Sequence, residues 1–181
     1  MTKNCTADFK LIIKHTDKVL MKGTDAEKLE LKTKFAVPDY SDKHFAKYIS
    51  DWVSIAQGQQ VYQPTSNLDA VCDYMENQLP TSTVPKPGAE GVGLELALDG
   101  LARAYAWMNE KGIFPADDVE AEVNPWYWFL CNEPFEWWQS WDRFDKTGFF
   151  SRVYDWKDDI RLTCDGQFPD KNGHQYALKT G

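Results

Sequence analysis

The chain has 181 residues and a formal net charge of −8, with 28 acidic side chains against 20 lysines and arginines. This excess of negative charge argues against a nucleic-acid backbone or an anionic membrane surface as a partner. No apolar run approaches the roughly 20 residues that a membrane-spanning helix needs. We therefore expect a soluble protein with one domain, or one domain and part of another.

The first two predicted helices follow directly from capping residues and apolar spacing. Thr6 can cap a first helix, whose apolar residues recur three and four positions apart and which ends at Gly23. Thr24 and Glu27 have the spacing of a capping box, which predicts a second, shorter helix ending near Phe35.

Three more helices are predicted between residues 44 and 112. One spans about residues 44–56, and another begins at residue 66 and runs through residue 75. Residues 80–88 contain three prolines and a glycine, so we interpret them as a surface loop. Residues 91–112 then have the apolar spacing of the longest helix in the chain.

An aromatic stretch follows, in which residues 124–141 hold five of the eight tryptophans. Both faces of residues 126–131 are apolar, which predicts one short buried strand. Pro134 ends this pattern and biases Glu133 towards extended geometry, so a carboxylate stands at the end of the strand. Composition alone favours a Glu133 that pairs with an arginine over a catalytic or binding Glu133. A further helix is predicted over residues 151–164.

The four cysteines give the main indication of cellular compartment. They are widely spaced, with no Cys-x-x-Cys pair and no histidines at zinc-ligand spacing, so we expect no metal site. An even number suits two disulfides, although four unpaired core thiols remain an alternative. Asn4 also begins an N-glycosylation sequon, which has meaning only on a secretory route. Together these features favour an oxidising compartment. The cysteines are Cys5, Cys72, Cys131 and Cys164.

Motifs that would complete an active site are missing from the sequence. No serine lies in a Gly-x-Ser-x-Gly elbow, and the three histidines are scattered. There is no phosphate-binding loop, dinucleotide fingerprint or His-Glu-x-x-His motif, so no cofactor is expected. The residues alone therefore describe a mainly helical domain with an aromatic centre.

Several segments, in order, resemble one family. Residues 4–20, 29–35, 71–77 and 91–98 resemble the helical cap region of fungal serine peptidases. The run Trp126-x-Trp128-x-x-Cys131-Asn132-Glu133-Pro134 resembles the aromatic–Cys–Thr/Asn–Glu signature that follows that cap. Residues 151–173 resemble the Ser-Arg, cysteine and Phe-Pro segment after it. This family includes acid prolyl endopeptidases, lysosomal Pro-Xaa carboxypeptidase and dipeptidyl peptidase II.

The resemblance implies a helical cap, or lid, inserted into an α/β-hydrolase that cleaves at proline in acidic surroundings. Residues 1–122 would form the cap, and residues 123–181 would lead back towards the hydrolase domain with an aromatic strand, a turn and a helix. The family places its serine before the cap and its aspartate and histidine after the Phe-Pro segment. No catalytic residue can therefore be assigned, and we expect this chain alone to be an inactive part of a secreted or vacuolar–lysosomal enzyme. Its partners would be the parent hydrolase domain and a peptide substrate.

The same resemblance implies roles for individual residues. Cys131 would pair with Cys164, and Cys5 with Cys72. The residues expected to line the substrate cleft are Trp126, Trp128, Glu133 and Gln139.

Two other classes of function compete with this interpretation. An acidic, tryptophan-rich binder of a basic partner, such as an immunity protein for a bacterial toxin, would explain the charge, the lack of a recognisable signal peptide and the missing catalytic motifs. It predicts reduced cysteines. Sugar binding is a third hypothesis, and it requires exposed tryptophans at positions 137, 138 or 141.

Overall fold

The computed structural model describes residues 2–50, 67–112 and 150–154. These ranges form five helices and no β-strand, so this part of the chain is mainly helical, as predicted. The predicted strand at residues 126–131 lies outside the described residues. The helices are α1 (Lys3–Lys22), α2 (Asp25–Lys34), α3 (residues 42–50), α4 (Asn67–Met75) and α5 (Leu94–Glu110).

Helix α1 begins one turn earlier than the sequence predicts. Thr2 is extended and its hydroxyl accepts a hydrogen bond from the Cys5 backbone N–H, so Thr2 is the cap. Thr6 lies inside the helix, where its backbone N–H donates to the Thr2 carbonyl. The prediction of Thr6 as the cap is therefore wrong. The helix ends before Gly23, as predicted, and a Cβ there would lie 2.6 Å from the carbonyl oxygen of Val19.

The capping box of α2 is confirmed. The Thr24 hydroxyl accepts a hydrogen bond from the Glu27 backbone N–H, and the Glu27 carboxylate accepts one from the Thr24 backbone N–H. The helix ends before Phe35, which is also the predicted position.

Helix α5 is shorter than the sequence predicts. Gly91 and Gly93 have φ angles of 80° and 87°, which a right-handed helix does not allow, so the helix begins only at Leu94. With 17 residues it is also shorter than α1, which has 20, and the prediction that it is the longest helix is wrong.

Helices α4 and α5 approach each other closely at Gly100 of α5. A Cβ built there would lie 2.5 Å from the Met75 Cα and the Tyr74 carbonyl oxygen of α4. Only glycine therefore allows α5 to pack on α4 at this distance.

The core lies where α1, α3, α4 and α5 meet. The Tyr105 hydroxyl donates to the Tyr48 carbonyl at 2.7 Å, which satisfies the polar end of an otherwise apolar side chain. No helix in the described ranges is long and apolar enough to cross a membrane. The largest fully buried apolar side chains are Phe9, Ile12, Phe45, Ile49, Met75, Leu101, Tyr105 and Met108.

The chain divides into two compact units. The first is Met1–Phe114 with Asp145–Tyr154, and the second is Pro115–Phe144 with Asp155–Gly181. Every described residue belongs to the first unit. The division at residues 122 and 123, which was inferred from the resemblance, stays a prediction.

Candidate functional site

All four residues predicted to line a substrate cleft lie outside the described ranges. These are Trp126, Trp128, Glu133 and Gln139, together with the predicted cysteine pair Cys131 and Cys164. Their roles stay predictions. The structure does bring together three other predicted residues, Asn4, Cys5 and Cys72, where α1 meets α4.

Cys5 and Cys72 form a disulfide that joins the first turn of α1 to α4. Their Cα atoms are 5.5 Å apart, and both residues are buried. This is the pair that the resemblance implies. Because the two residues are 67 positions apart in sequence, the bond constrains a long stretch of the unfolded chain.

Beside the disulfide, Asn4 and Glu76 form a polar contact. The Asn4 amide Nδ2 donates to Glu76 Oε2 at 2.7 Å, and Glu76 is only 5% exposed. The other carboxylate oxygen, Oε1, is buried and has no hydrogen-bond partner among the described residues. Asn4 Nδ2 is also the atom to which a glycan would be attached, and glycosylation of Asn4 stays a prediction.

One carboxylate of α1, that of Asp8, lies against the start of α5. Asp8 is fully buried and accepts hydrogen bonds from the backbone N–H groups of Val92 and Gly93, at 2.9 and 3.0 Å. Gly93 has no side chain to cap α5, so the Asp8 carboxylate supplies negative charge at the positive end of that helix. A Cβ on Gly91 would lie 2.3 Å from the Asp8 carboxylate, so this turn requires glycine.

Burial raises the pKa of two carboxyl groups, those of Glu76 and Asp8. Burial raises the pKa of Glu76 to about 7, and the negative charges of Asp8 and Asp73 act in the same direction, while the bond from Asn4 opposes them. Burial also raises the pKa of Asp8, against the hydrogen bonds from Val92 and Gly93. Glu76 therefore exchanges its proton near neutral pH, which makes its contact with Asn4 sensitive to pH.

The other carboxylate of α1, that of Asp17, binds the Ser-Arg motif. The Ser151 hydroxyl donates to Asp17 Oδ1 at 2.5 Å, and the Arg152 backbone N–H donates to the same oxygen at 3.0 Å. The Ser151 backbone N–H donates to the Ser50 hydroxyl of α3 at 2.9 Å. Burial raises the pKa of Asp17, and the bonds from Ser151 and Arg152 oppose this.

These bonds correct one sequence prediction. The sequence predicts a helix from Ser151, but the described residues 151–154 form a turn. The hydroxyl of Ser151 donates to Asp17 of α1, and its backbone N–H donates to Ser50 of α3. These two bonds hold the segment in a non-helical conformation. The remainder of the predicted helix lies outside the described residues.

Sequence reasoning missed Asp8, Asp17 and Glu76. Asp8 could have been found, because it lies three residues after Cys5 and four before Ile12, which places a carboxylate on the apolar face of α1. Glu76 has no such local signal, since the contact that buries it comes from a residue 72 positions away.

The described ranges contain no group of three His, Cys, Asp or Glu side chains that could hold a metal ion. What the arrangement provides instead is a set of carboxylates, two buried and one partly exposed, that hold α1 against α4, α5 and the Ser-Arg segment. One of these, Glu76, titrates near neutrality.

Comparison with known proteins gives one distant relationship. No family model matches the chain. The serine protease vicPb of Bipolaris victoriae (strain FI3) is 23% identical over an alignment that is 211 positions long. The alignment includes all of this chain but only 39% of the relative, so the chain spans about two-fifths of the length of the protein it matches. The chain is thus distantly similar to one part of a serine protease.

Proposed function

We propose that this chain is the helical cap of a serine peptidase with an α/β-hydrolase core, and that it walls the peptide-binding cleft. The observation that carries the proposal is the alignment, in which the whole chain corresponds to one part of a longer serine protease. The catalytic serine, aspartate and histidine then belong to the rest of the parent chain.

The described helices have properties that suit a cap. A lid that shapes a cleft must keep its form while its surroundings open and close. The Cys5–Cys72 disulfide and the Asp8 and Asp17 hydrogen bonds all tie α1 to distant segments. Under this proposal, the cleft side of the cap includes Trp126, Trp128, Glu133 and Gln139.

Cleavage at proline and an acidic extracellular or vacuolar site of action are also part of the proposal. The disulfide supports an oxidising compartment. The raised pKa of Glu76 supports an acidic one, because a buried carboxyl group is less costly when it is protonated.

The test begins with the source transcript, sequenced across both ends of this segment. We expect a Gly-x-Ser-x-Gly-like elbow upstream and an aspartate and a histidine downstream, in one reading frame. The protein from that reading frame should react with a fluorophosphonate probe, whereas its elbow Ser-to-Ala variant and the 181-residue chain alone should not. Labelling of the 181-residue chain, or a transcript without these elements, would contradict the proposal.

Proline specificity is tested with the same full-length protein. Two peptides that differ only by proline or alanine at one position are digested, and the products are identified by mass spectrometry. We expect cleavage after the proline and none after the alanine. Equal cleavage of both peptides would refute the specificity while leaving the assignment as a serine peptidase intact.

The alternative is a free-standing acidic binding protein of the immunity type. It is favoured by the net charge of −8. It requires reduced cysteines, however, and the Cys5–Cys72 disulfide weighs against it.

A further inference from the structure

The side of α1 that faces away from the core carries a basic row. Four lysines recur at intervals of four residues, so they follow one side of the helix, and Arg152 of the Ser-Arg segment lies beside them. With neighbouring residues they line a groove of about 550 Å³. The lysines are Lys10, Lys14, Lys18 and Lys22.

The floor of this groove is apolar. Leu11 and Met21 are 39% and 51% exposed, and the half-buried Phe150 adds further apolar surface. Large apolar side chains that remain this exposed beside a concave surface are typical of a binding site.

The charge of the residues lining the groove is opposite to that of the protein. Five basic residues line it, against the single acid Asp17. The Asp17 carboxylate already accepts hydrogen bonds from Ser151 and Arg152 and pairs with the Arg152 side chain, which leaves the four lysines as the excess charge of the lining. The whole chain, by contrast, has a net charge of −8.

We infer that this groove binds an acidic polypeptide segment whose apolar side chains contact Leu11 and Met21 while its carboxylates pair with the lysine row. The lysines supply the complementary charge. The apolar floor distinguishes such a segment from a polyanion without apolar groups, and the net negative charge of the protein disfavours a nucleic acid. This inference does not depend on the peptidase proposal.

The first experiment measures fluorescence anisotropy of three short labelled peptides with the oxidised protein. In one peptide glutamate alternates with leucine, in the second glutamate alternates with serine, and in the third lysine alternates with leucine. We expect the glutamate–leucine peptide to bind most tightly, and its affinity to fall as salt is added. Equal binding of the glutamate–serine peptide, or tighter binding of the lysine–leucine peptide, would overturn the inference.

Variants then locate the binding on the protein. Lys14→Gln/Lys18→Gln should weaken binding of the glutamate–leucine peptide by about fivefold, since each exposed ion pair contributes a modest amount. The matched control, Lys86→Gln/Lys111→Gln, removes the same charge from exposed lysines outside the groove and should leave the affinity unchanged. Equal losses in both double variants would overturn the inference.

A second pair of substitutions tests the apolar floor. Leu11→Gln/Met21→Gln keeps helix-forming residues on α1 and replaces two side chains outside the buried core, so the fold should persist, as circular dichroism can verify. We expect weaker binding of the glutamate–leucine peptide and no change for the glutamate–serine peptide. Unchanged binding of both peptides would show that the floor is not used.

Discussion

Glu76→Gln should change how stability depends on pH. In the folded protein the pKa of Glu76 is raised from its ordinary 4.5 to about 7. Below pH 4.5 the carboxyl group is protonated in both the folded and the unfolded chain, so its ionisation does not lower the free energy of unfolding. As the pH rises towards 7, the unfolded chain loses this proton first, and the wild-type protein is progressively destabilised.

The size of the effect follows from the raised pKa. At about 1.4 kcal/mol per pKa unit the full rise would correspond to about 3 kcal/mol. Water that reaches the half-buried Asn4, beside Glu76, screens part of this electrostatic cost. We therefore expect an effect of about 1–2 kcal/mol on the free energy of unfolding. Glutamine keeps an oxygen that accepts the Asn4 hydrogen bond but never ionises beside Asp8 and Asp73. The variant should therefore exceed wild type in stability above about pH 7 and differ little near pH 4.

The assay is urea unfolding of the oxidised protein, followed by circular dichroism across this pH range. The quantity of interest is the difference in free energy of unfolding between variant and wild type, because contributions from other titrating groups cancel in it. Glu30→Gln, at an exposed position of α2, is the control for losing one charge. The reasoning fails if the Glu76→Gln difference is the same at every pH, or if it is largest at low pH.

Two further predictions concern the packing of α4. Gly100→Ala should destabilise the protein by about 1–2 kcal/mol, because the overpacking cost of the methyl group against Met75 exceeds the gain of about 1 kcal/mol in helix propensity. Leu96→Ala, at an exposed position of α5, the helix that also contains Gly100, should be nearly neutral. An equal loss of stability for both variants in thermal unfolding would contradict this prediction. Cys5→Ala/Cys72→Ala should cost about 4 kcal/mol in urea unfolding, from the loop that the bond closes. If the wild-type protein were equally stable under reducing and oxidising conditions, that prediction would be refuted.

The sequence predicts local features of this fold well. The Thr24 capping box depends only on residues within four positions of one another, and it forms as expected. The end of α1 at Gly23 is equally local. The start of α1 is not local, because Thr2 and Thr6 are both acceptable caps. The choice of Thr2 places Cys5 inside the helix, where it forms the disulfide with Cys72 of α4.

The candidate site was predicted less completely, for the same reason. The disulfide was implied by the resemblance, but the carboxylates depend on partners far away in sequence, such as Val92 for Asp8 and Ser151 for Asp17. A lone buried carboxylate in an apolar helix face indicates that some partner must exist. It does not indicate which one, and the residues that provide it come from separate segments.

The two sides of α1 are expected to have separable roles. Its inner side carries Cys5 and Asp8, each bonded to a segment distant in sequence, so substitutions there should lower stability. Asp8 and Asp17 recover part of their desolvation cost through backbone N–H donors, whereas one oxygen of Glu76 has no hydrogen-bond partner in the described part of the chain. The outer lysine row contributes little to stability, because exposed ion pairs are weak. If the outer side is a binding surface, its variants should therefore change peptide affinity and leave the free energy of unfolding almost unchanged, while inner-side variants should do the reverse.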